Sequence, residues 1–333
     1  MRNRFFKVLM CFALLITVIS FNGAKIFARA DEANTVYLGG FATGFSINTR
    51  GAEIVGICDV ITDSGVLSPA KDAEILPHDK LLSVGDVQID CSSDIEKALK
   101  GCKGEKVVVT VMRNGERLIK EVEPAIDLSG KYKLGLFIRD DLNGIGTMTF
   151  IKQNGEFMAL GHPIVDDREQ LCDVLGGNIY RCSIIGINKG VRGKAGELKG
   201  IFIKDDAIGE ISGNFEQGIK GKLSSDYDFS KLTKIKVGEA KIGSAKMVTS
   251  INGVESLEYD ISIVKADGGE KPCKNLVVKI TDERLLKSAG GIVQGMSGSP
   301  IVQDGKLVGA VTHVFINDPT RGYGICINNM LNA

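Results

Sequence analysis

Short runs of apolar residues, several with apolar and polar residues in alternation, follow one another along the chain after residue 35 and are separated by Gly, Asn and Asp. Runs of this length between turn residues are typical of β-strands. Residues 106–113 and 116–122 flank Asn114-Gly115, a dipeptide preferred in hairpin turns because both positions tolerate positive φ. The pattern therefore predicts a mainly β protein.

One short segment has helical spacing instead. Ser93 and Glu96 fit a capping box, Ile95 and Leu99 share a face, and Gly101 follows as a stop signal. The sequence predicts a helix over residues 93–100. Beyond residue 135 the apolar runs are short and bounded by turns, which predicts an all-β domain of sandwich or barrel type.

The first 30 residues differ from the rest. Arg2, Arg4 and Lys7 precede an apolar stretch over residues 8–21, and a small-residue triplet ends the segment at Ala30. This pattern predicts a secretory signal that is cleaved after Ala30. The apolar stretch is shorter than the roughly 20 residues that a membrane-spanning helix needs, so a retained N-terminal membrane anchor is the second reading. In both cases we expect the remainder of the chain to be exported.

The charge balance argues against a nucleic-acid partner. The chain has 41 basic and 41 acidic residues, and residues 1–30 hold five of the bases and no acid. The remainder therefore has an excess of acidic residues, which is the opposite of what a phosphate-binding surface requires.

Cysteine and histidine spacing predicts neither a metal nor a cofactor. One of the eight cysteines lies in the signal, which leaves an odd number without a C-x-x-C pair, so no disulfide framework is predicted. His78, His162 and His313 are scattered, whereas zinc ligands are usually closely spaced.

Three stretches of the first half carry a family resemblance: residues 42–47 (ATGFSI), 68–70 (SPA) and 76–84 (LPHDKLLSV). They resemble a PDZ domain, which we expect over residues 36–124, followed by a polar linker over residues 125–135. The resemblance implies a loop whose free N–H groups receive a peptide's terminal carboxylate while the peptide adds as a strand. Carried over, that peptide-binding loop consists of Thr43, Gly44 and Phe45. The alternative is an ordinary β-turn.

The most informative string is GMSGSP at residues 295–300, followed by a hairpin pattern. It resembles the nucleophile loop of chymotrypsin-like serine proteases. A serine hydroxyl needs a base to become a nucleophile, and neighbouring glycines let backbone N–H groups turn towards a developing oxyanion. The resemblance makes Ser297 the nucleophile and assigns the oxyanion hole to the N–H groups of Gly295 and Ser297. Ser299 is the rival serine in this string.

Serine catalysis of this kind usually needs a histidine base and an acid that orients it. His162 follows an apolar run and a glycine, which suits the rim of a cleft, whereas His313 lies within a strand pattern. The residues favour His162 and leave His313 open. Four aspartates qualify as the acid by residue type: Asp166, Asp167, Asp282 and Asp318.

Residues 290–324, the ALGHPIVD string at residues 159–166 and the PDZ resemblance together closely resemble the SpoIVB-type family of stage IV sporulation serine proteases. This resemblance implies His162 as general base, Asp282 as orienting acid and Ser297 as nucleophile. It also implies a fold class: an N-terminal signal or anchor over residues 1–30, a PDZ domain of strands and short helices, and a chymotrypsin-like double β-barrel over residues 136–333.

The resemblance further implies a role in sporulation signalling. Members of the family are exported into the space between the two membranes around the forespore. There they cleave themselves and the regulatory subunit of an intramembrane metalloprotease, which releases a late mother-cell sigma factor. The PDZ domain is expected to bind the N-terminal region and then the target, and membrane association to occur through the N-terminus. Two alternatives are a catalytically inactive PDZ-containing signalling scaffold and a paralogue with another sporulation target.

Overall fold

The structure is a computed structural model that describes residues 34–165, 169–203, 205–267 and 273–333. The predicted signal at residues 1–30 lies outside the described residues. The described chain is mainly β with a few short helices, as the sequence predicts. In the ranges that the structure describes, each helix is too short or too polar to cross a membrane.

The strands and helices are numbered in chain order. The strands are β1 (Thr35–Leu38), β2 (Ala42–Ile57), β3 (Val60–Thr62), β4 (Gly65–Leu67), β5 (Lys80–Val84), β6 (Val87–Gln88), β7 (Val107–Arg113), β8 (Glu116–Val122), β9 (Ala125–Ile126), β10 (Tyr132–Lys133), β11 (Leu136–Ile151), β12 (Glu156–Ala159), β13 (Val174–Arg181), β14 (Ser183–Asn188), β15 (Glu197–Ile201), β16 (Ala207–Phe215), β17 (Gly218–Leu223), β18 (Lys234–Val237), β19 (Gly243–Thr249), β20 (Leu257–Ala266), β21 (Leu276–Ile280), β22 (Pro300–Gln303), β23 (Lys306–Phe315) and β24 (Asp318–Cys326). The helices are α1 (Pro69–Asp72), α2 (Ser92–Lys100), α3 (Glu283–Ala289) and α4 (Ile327–Leu331).

Six strands close the first barrel. The first half of β2 pairs with β13, and the ring continues through β16, β17, β12 and the second half of β11 back to β2, with every pair antiparallel. Side chains such as Ile47, Met148 and Phe157 fill its interior and are buried. Closing the sheet on itself removes exposed strand edges.

Six further strands close the second barrel in the order β23, β24, β21, β20, β19 and β22, again all antiparallel. Its core includes Met247, Tyr259 and Ile301. The two barrels confirm the predicted chymotrypsin-like double β-barrel. A short parallel pair, β18 with β23, and the pairing of β1 with β11 and β18 connect the barrels.

The PDZ domain shares two strands with the first barrel. Its sheet consists of the start of β11, the second half of β2, and β5, β7 and β8, and its core contains Ile54, Leu81 and Leu99. The predicted PDZ boundary at residue 36 differs from the structure, because β1 and the first half of β2 pair within the protease domain. The predicted linker at residues 125–135 contains the β9–β10 hairpin.

The predicted helix forms as α2, but it begins earlier than predicted. Its N-cap is Cys91, and the Asp94 carboxylate accepts the Cys91 N–H at 3.1 Å. The capping box therefore uses Cys91 and Asp94 instead of Ser93 and Glu96. The predicted hairpin turn at Asn114-Gly115 joins β7 to β8, with φ values of 55° and 83°.

Candidate active site

Ser297 lies in the loop that leads into β22, at the rim of the second barrel. The loop turns at Gly295 and Gly298, which have φ values of 95° and 92°. A Cβ on Gly298 would lie 2.1 Å from the Thr147 carbonyl oxygen on β11. Only a glycine allows the loop to approach the first barrel this closely.

The two predicted oxyanion donors are available. Within the described ranges neither the Gly295 N–H nor the Ser297 N–H donates a hydrogen bond, whereas the N–H of the intervening Met296 donates to the Val293 carbonyl oxygen at 3.1 Å. Gly295 and Ser297 are half-buried, while the Met296 side chain is buried beneath the loop. The loop thus presents two unpaired backbone donors beside an accessible serine.

The Ser297 hydroxyl donates a hydrogen bond of 2.7 Å to the Thr312 carbonyl oxygen on β23. His313 follows Thr312 directly on β23. The Ser297 hydroxyl therefore bonds the residue that precedes the strand histidine. The rival serine, Ser299, is fully buried, and its hydroxyl lies 3.5 Å from the hydroxyl of Thr147. Ser297 is therefore the serine in this loop that a substrate can contact.

His162 follows β12 in a tight turn of the first barrel. Leu160 and Gly161 have φ values of 70° and 71°, and such a conformation costs a non-glycine residue about 1 kcal/mol or more. The turn packs on β23, because a Cβ on Gly161 would lie 3.0 Å from Cγ2 of Thr312. The first barrel thus brings His162 to the strand that holds the Ser297 hydroxyl.

The hydrogen bond of His162 determines its tautomer. Its Nδ1 lies 2.9 Å from the Pro163 carbonyl oxygen. Because a carbonyl oxygen can only accept, Nδ1 carries the hydrogen and Nε2 is the basic nitrogen. A serine-protease base requires this tautomer, and here a backbone carbonyl selects it.

His313 is the second imidazole of the site. Its ring contacts that of His162, with 4.7 Å between the centroids and 39° between the planes. Nδ1 of His313 is buried and has no hydrogen-bond partner among the described residues. Burial lowers the pKa of both imidazoles, and the Lys274 ammonium lowers both further. The pKa of His313 falls to about 4, mainly through burial and next through His162.

The structure does not bring Asp282 to His162, contrary to the prediction. Asp282 is the N-cap of α3, where its carboxylate accepts the Arg284 N–H at 2.9 Å and the Asp260 N–H at 3.2 Å. The Arg284 guanidinium pairs with it at 2.7 Å and holds the pKa of this carboxyl well below its usual range. These contacts occupy both oxygens of the carboxylate. Nδ1 of His162 bonds Pro163 instead.

The other aspartates add no acid next to His162 in the described chain. Asp166 and Asp167 lie outside the described residues. Asp318 begins β24, where it accepts the Thr320 hydroxyl at 2.6 Å and faces Arg321 at 3.4 Å. Among the described residues, no group of three or more His, Cys, Asp or Glu side chains has the arrangement of a metal site.

The structure contradicts the predicted carboxylate-binding loop. Thr43, Gly44 and Phe45 lie inside β2, which pairs with β11 on one edge and with β13 on the other. Their backbone therefore has a strand on each side and cannot receive a peptide. The Gly-Phe signal has a packing origin, because a Cβ on Gly44 would lie 2.2 Å from the ring of Phe202.

A cavity of about 580 Å³ lies elsewhere in the PDZ domain, between α2 and the start of β11. Ile95 and Leu99 line it from the helix, and Leu136 and Ile138 line it from the strand. Residues 136–139 pair with β2 on one edge, and no strand in the described chain covers their other edge. Sequence reasoning missed this groove. A signal for it is the Gly-Leu-Phe string at residues 135–137, which combines a glycine with a phenylalanine as residues 43–45 do.

Two barrels that bring a glycine-flanked serine loop and a histidine turn onto the same strand, together with a PDZ domain, define a class of protein: a chymotrypsin-like serine peptidase with an added PDZ domain. The sequence profile described as SpoIVB peptidase S55 matches residues 130–331, more than half of the chain, and the profile described as PDZ domain matches residues 49–123. The chain therefore belongs to the SpoIVB peptidase S55 family. It is a serine peptidase of the sporulation type, and its substrates are proteins.

A solved structure described as the crystal structure of Rv3671c protease, inactive form, is also similar to the chain. The two are 13% identical with a TM-score of 0.33, and the match covers 56% of this chain and 81% of the other. A likeness of this size carries no argument about function. The curated proteins contain no match to the chain.

Proposed function

We propose that this chain is an exported endopeptidase of sporulation signalling in which Ser297 is the nucleophile and His162 the general base. The observation that supports this best is the meeting of the Gly295–Gly298 loop and the His162 turn on the same strand, β23. The two N–H groups that have no hydrogen-bond acceptor among the described residues belong to the same loop as this hydroxyl.

The proposed reaction uses the tautomer and contacts described above. The Ser297 hydroxyl turns from the Thr312 carbonyl to Nε2 of His162, which takes the proton as the serine oxygen attacks the scissile carbonyl. The N–H groups of Gly295 and Ser297 stabilise the oxyanion. The imidazolium returns the proton to the leaving amine, and a water molecule activated by the same nitrogen hydrolyses the acyl-enzyme.

Neutral imidazoles at rest favour this chemistry. Burial lowers the pKa of His162, so the ring is unprotonated at neutral pH and ready to accept the serine proton. The Pro163 carbonyl stabilises the imidazolium that then forms, because its hydrogen bond to Nδ1 raises the pKa of His162. In this proposal the carbonyl takes over part of the role that the family resemblance assigns to Asp282.

The groove between α2 and the start of β11 is the proposed peptide-binding site of the PDZ domain. An extended peptide adds to the open edge of residues 136–139, and its apolar side chain fits between Ile95 and Leu99. The proposed ligands are the chain's own N-terminal region and then the protein target.

The proposed target is the regulatory subunit of an intramembrane metalloprotease, whose cleavage leads to release of a late mother-cell sigma factor. Export to the space around the forespore, by a cleaved signal or a membrane anchor over residues 1–30, belongs to the same proposal. Family membership supports these statements, because such a cascade is what the family resemblance implies. A paralogue of the family with another sporulation target is the alternative.

A comparison of the wild-type chain with Ser297→Ala tests the proposal. We expect the wild type to react once with a fluorophosphonate, at Ser297, and to produce defined fragments of itself that N-terminal sequencing identifies. The variant should give neither the label nor the fragments while keeping its melting temperature, because a half-buried hydroxyl contributes little to packing. Co-expression with the regulatory subunit then tests the target.

Ser299→Ala is the matched control, since Ser299 lies two residues away and its hydroxyl is buried. It should retain the fluorophosphonate label. Labelling of Ser297→Ala, or a folded wild type that remains unlabelled, would remove the catalytic assignment and leave the binding scaffold. Unchanged cleavage of the regulatory subunit in the presence of Ser297→Ala would remove the target.

A further inference from the structure

Four consecutive peptide groups form the loop around the nucleophile, and each is held at its carbonyl oxygen. The Gln294 carbonyl accepts the Leu198 N–H at 2.9 Å, and the Met296 carbonyl accepts the Ser299 N–H at 3.0 Å. The nitrogens of these two peptide groups carry the free N–H groups of the proposed oxyanion hole. Because a peptide group is planar, a fixed carbonyl also sets the direction of its N–H.

The other two carbonyls are both held by Thr147. Its side-chain hydroxyl donates to the Gly295 carbonyl oxygen at 2.9 Å, and its backbone N–H donates to the Ser297 carbonyl oxygen at 2.9 Å. Thr147 is fully buried on β11, in the first barrel, whereas the loop belongs to the second. Thr147 thus orients the two remaining peptide groups, those of the Gly295 and Ser297 carbonyls. Along the loop, these two alternate with the two peptide groups that carry the oxyanion donors.

The Thr147 hydroxyl differs in kind from the other contacts that hold these four carbonyls in the described chain. The others are backbone hydrogen bonds, which a side-chain substitution leaves in place. The hydroxyl acts on the peptide group between Gly295 and Met296, whose rotation would turn the Gly295 carbonyl towards the site. A carbonyl there would occupy the position that the substrate oxygen needs.

We propose that Thr147 is a positioning residue for the oxyanion hole: its hydroxyl keeps the Gly295 carbonyl turned into the protein and thereby keeps the position of the substrate oxygen, beside the Gly295 N–H, free of a carbonyl. The proposal rests on the proposed function, because it requires Ser297 to be the reacting serine. Thr147 itself does not touch the substrate.

The test compares Thr147→Val with Thr149→Val in the full chain. Thr149 is a close control, because it is also fully buried on β11 and its hydroxyl donates to a loop carbonyl, that of Gly298, at 2.8 Å. That carbonyl lies beyond the peptide groups that carry the oxyanion donors. Both substitutions keep the side-chain shape and delete one buried hydroxyl. Thr147→Val also removes the acceptor of the Ser299 hydroxyl at 3.5 Å, so it should lower the melting temperature by as much as Thr149→Val or slightly more.

Two readouts separate positioning from stability. The first is the rate of labelling by a fluorophosphonate, resolved into maximal rate and half-saturating concentration. The second is casein hydrolysis, resolved into kcat and KM. We expect Thr147→Val to lower the maximal labelling rate and kcat by about 10- to 100-fold and to leave KM within about twofold. Complete loss of an oxyanion donor lowers kcat by about 100- to 1,000-fold, and this variant keeps the donor but loses the contact that positions the loop. Thr149→Val should change both rates by less than about threefold, because the oxyanion donors stay oriented.

Thr147→Ser restores the hydroxyl without the methyl group and should recover most of the rate. Equal labelling rates for wild type and Thr147→Val would overturn the proposal, and so would a serine variant as slow as the valine variant. If Thr147→Val does not fold, Thr147→Cys, with a weak thiol donor, replaces it in the same comparison. A folded wild-type chain that does not react with the fluorophosphonate overturns the proposed function and this proposal together. A wild-type chain that reacts as fast as Thr147→Val overturns only the role of Thr147.

Discussion

The serine and the histidine of the candidate site are each paired with a backbone carbonyl at rest. The Ser297 hydroxyl donates to Thr312, and Nδ1 of His162 donates to Pro163. The contact of Ser297 with Thr312 has to break during the reaction. The contact of His162 with Pro163 has to persist, because it keeps the hydrogen on Nδ1 and leaves Nε2 as the basic nitrogen. Burial is the main cause of the lowered pKa of His162, and the Pro163 carbonyl, which supports an imidazolium less than a carboxylate would, offsets it only in part.

Asp282→Asn distinguishes an orienting acid from a helix cap. Loss of the acid of a catalytic triad lowers kcat by about 10,000-fold. The structure predicts instead a kcat loss of less than about tenfold, because the carboxylate contacts α3 and Arg284 and not His162. Asparagine still caps the helix, but the pair with Arg284 is lost, so the melting temperature at neutral pH should fall by a few degrees.

The pH dependence of this stability difference is an internal control for Asp282. The folded-state pKa of Asp282 is lowered, so its charged form stabilises the fold at pH values above the unfolded pKa of about 3.9. The contribution is lost as pH falls towards the lower folded pKa. The melting temperatures of wild type and Asp282→Asn should therefore converge below about pH 4. A loss of kcat near 10,000-fold with unchanged stability would return Asp282 to the triad.

At the scale of single elements, the turn after β12 and the strand β11 place the catalytic groups. The turn contains two successive left-handed residues, Leu160 and Gly161, which direct the chain and His162 onto β23. β11 runs without interruption from the PDZ groove at Leu136 to Thr147 under the nucleophile loop. A short connection and a long strand therefore bring together groups that are far apart in the sequence.

Gly161→Ala tests the turn. The φ of 71° disfavours alanine, and the new Cβ would press on Thr312 at 3.0 Å, so the turn and His162 should shift. Gly193→Ala is the control, because Gly193 has a φ of 85° and no atom lies within 4 Å of its added Cβ. Both variants should lose about 1 kcal/mol of folding free energy. Only Gly161→Ala should reduce fluorophosphonate labelling, by about tenfold or more, since proton transfer depends on the position of the imidazole. Equal labelling of the two variants would argue against the turn as the element that positions His162.

At the scale of the whole molecule, the PDZ domain is joined to the first barrel by two strands of the same sheet. β2 and β11 pair with each other in both units and pass from one to the other as a two-stranded ribbon. The proposed peptide groove therefore lies at one end of the ribbon and the nucleophile loop at the other. This arrangement separates docking of a protein substrate from its cleavage within one chain.

Ile95→Asp tests the docking role of the groove. A charge placed between the helix and the open edge of β11 should weaken binding of an apolar peptide side chain. We expect self-cleavage or target cleavage to fall about tenfold, the order of affinity lost with one buried apolar contact, while fluorophosphonate labelling stays within about threefold, because the small probe does not use the groove.

Ile119→Asp is the control for this substitution, because Ile119 is 70% exposed on β8 of the same domain. It should leave both readouts unchanged. Equal loss of labelling and of protein cleavage in Ile95→Asp would indicate damage to the fold or a direct effect on Ser297. Unchanged protein cleavage would mean that substrates do not dock in this groove.

Much of the architecture could be predicted from local pattern. The hairpin at Asn114-Gly115, helix α2 to within one residue and the nucleophile loop depend on neighbouring residues and were recognisable in the sequence. The misplaced features depend on distant ones. The Gly-Phe signal at Gly44 predicts a loop, whereas Gly44 lies inside β2 and packs against Phe202.

By itself the sequence determined which residues are chemically able to react: a serine between glycines, a histidine after a strand, and the short alternating runs that build β-barrels. Only the tertiary structure decided which groups meet. It placed Asp282 at the start of α3, set His313 against His162, and put Thr147 beneath the loop 148 residues away from Gly295. The physical reason is that hydrogen-bond partners across two barrels are set by strand order and register, which leave no local signature in the chain.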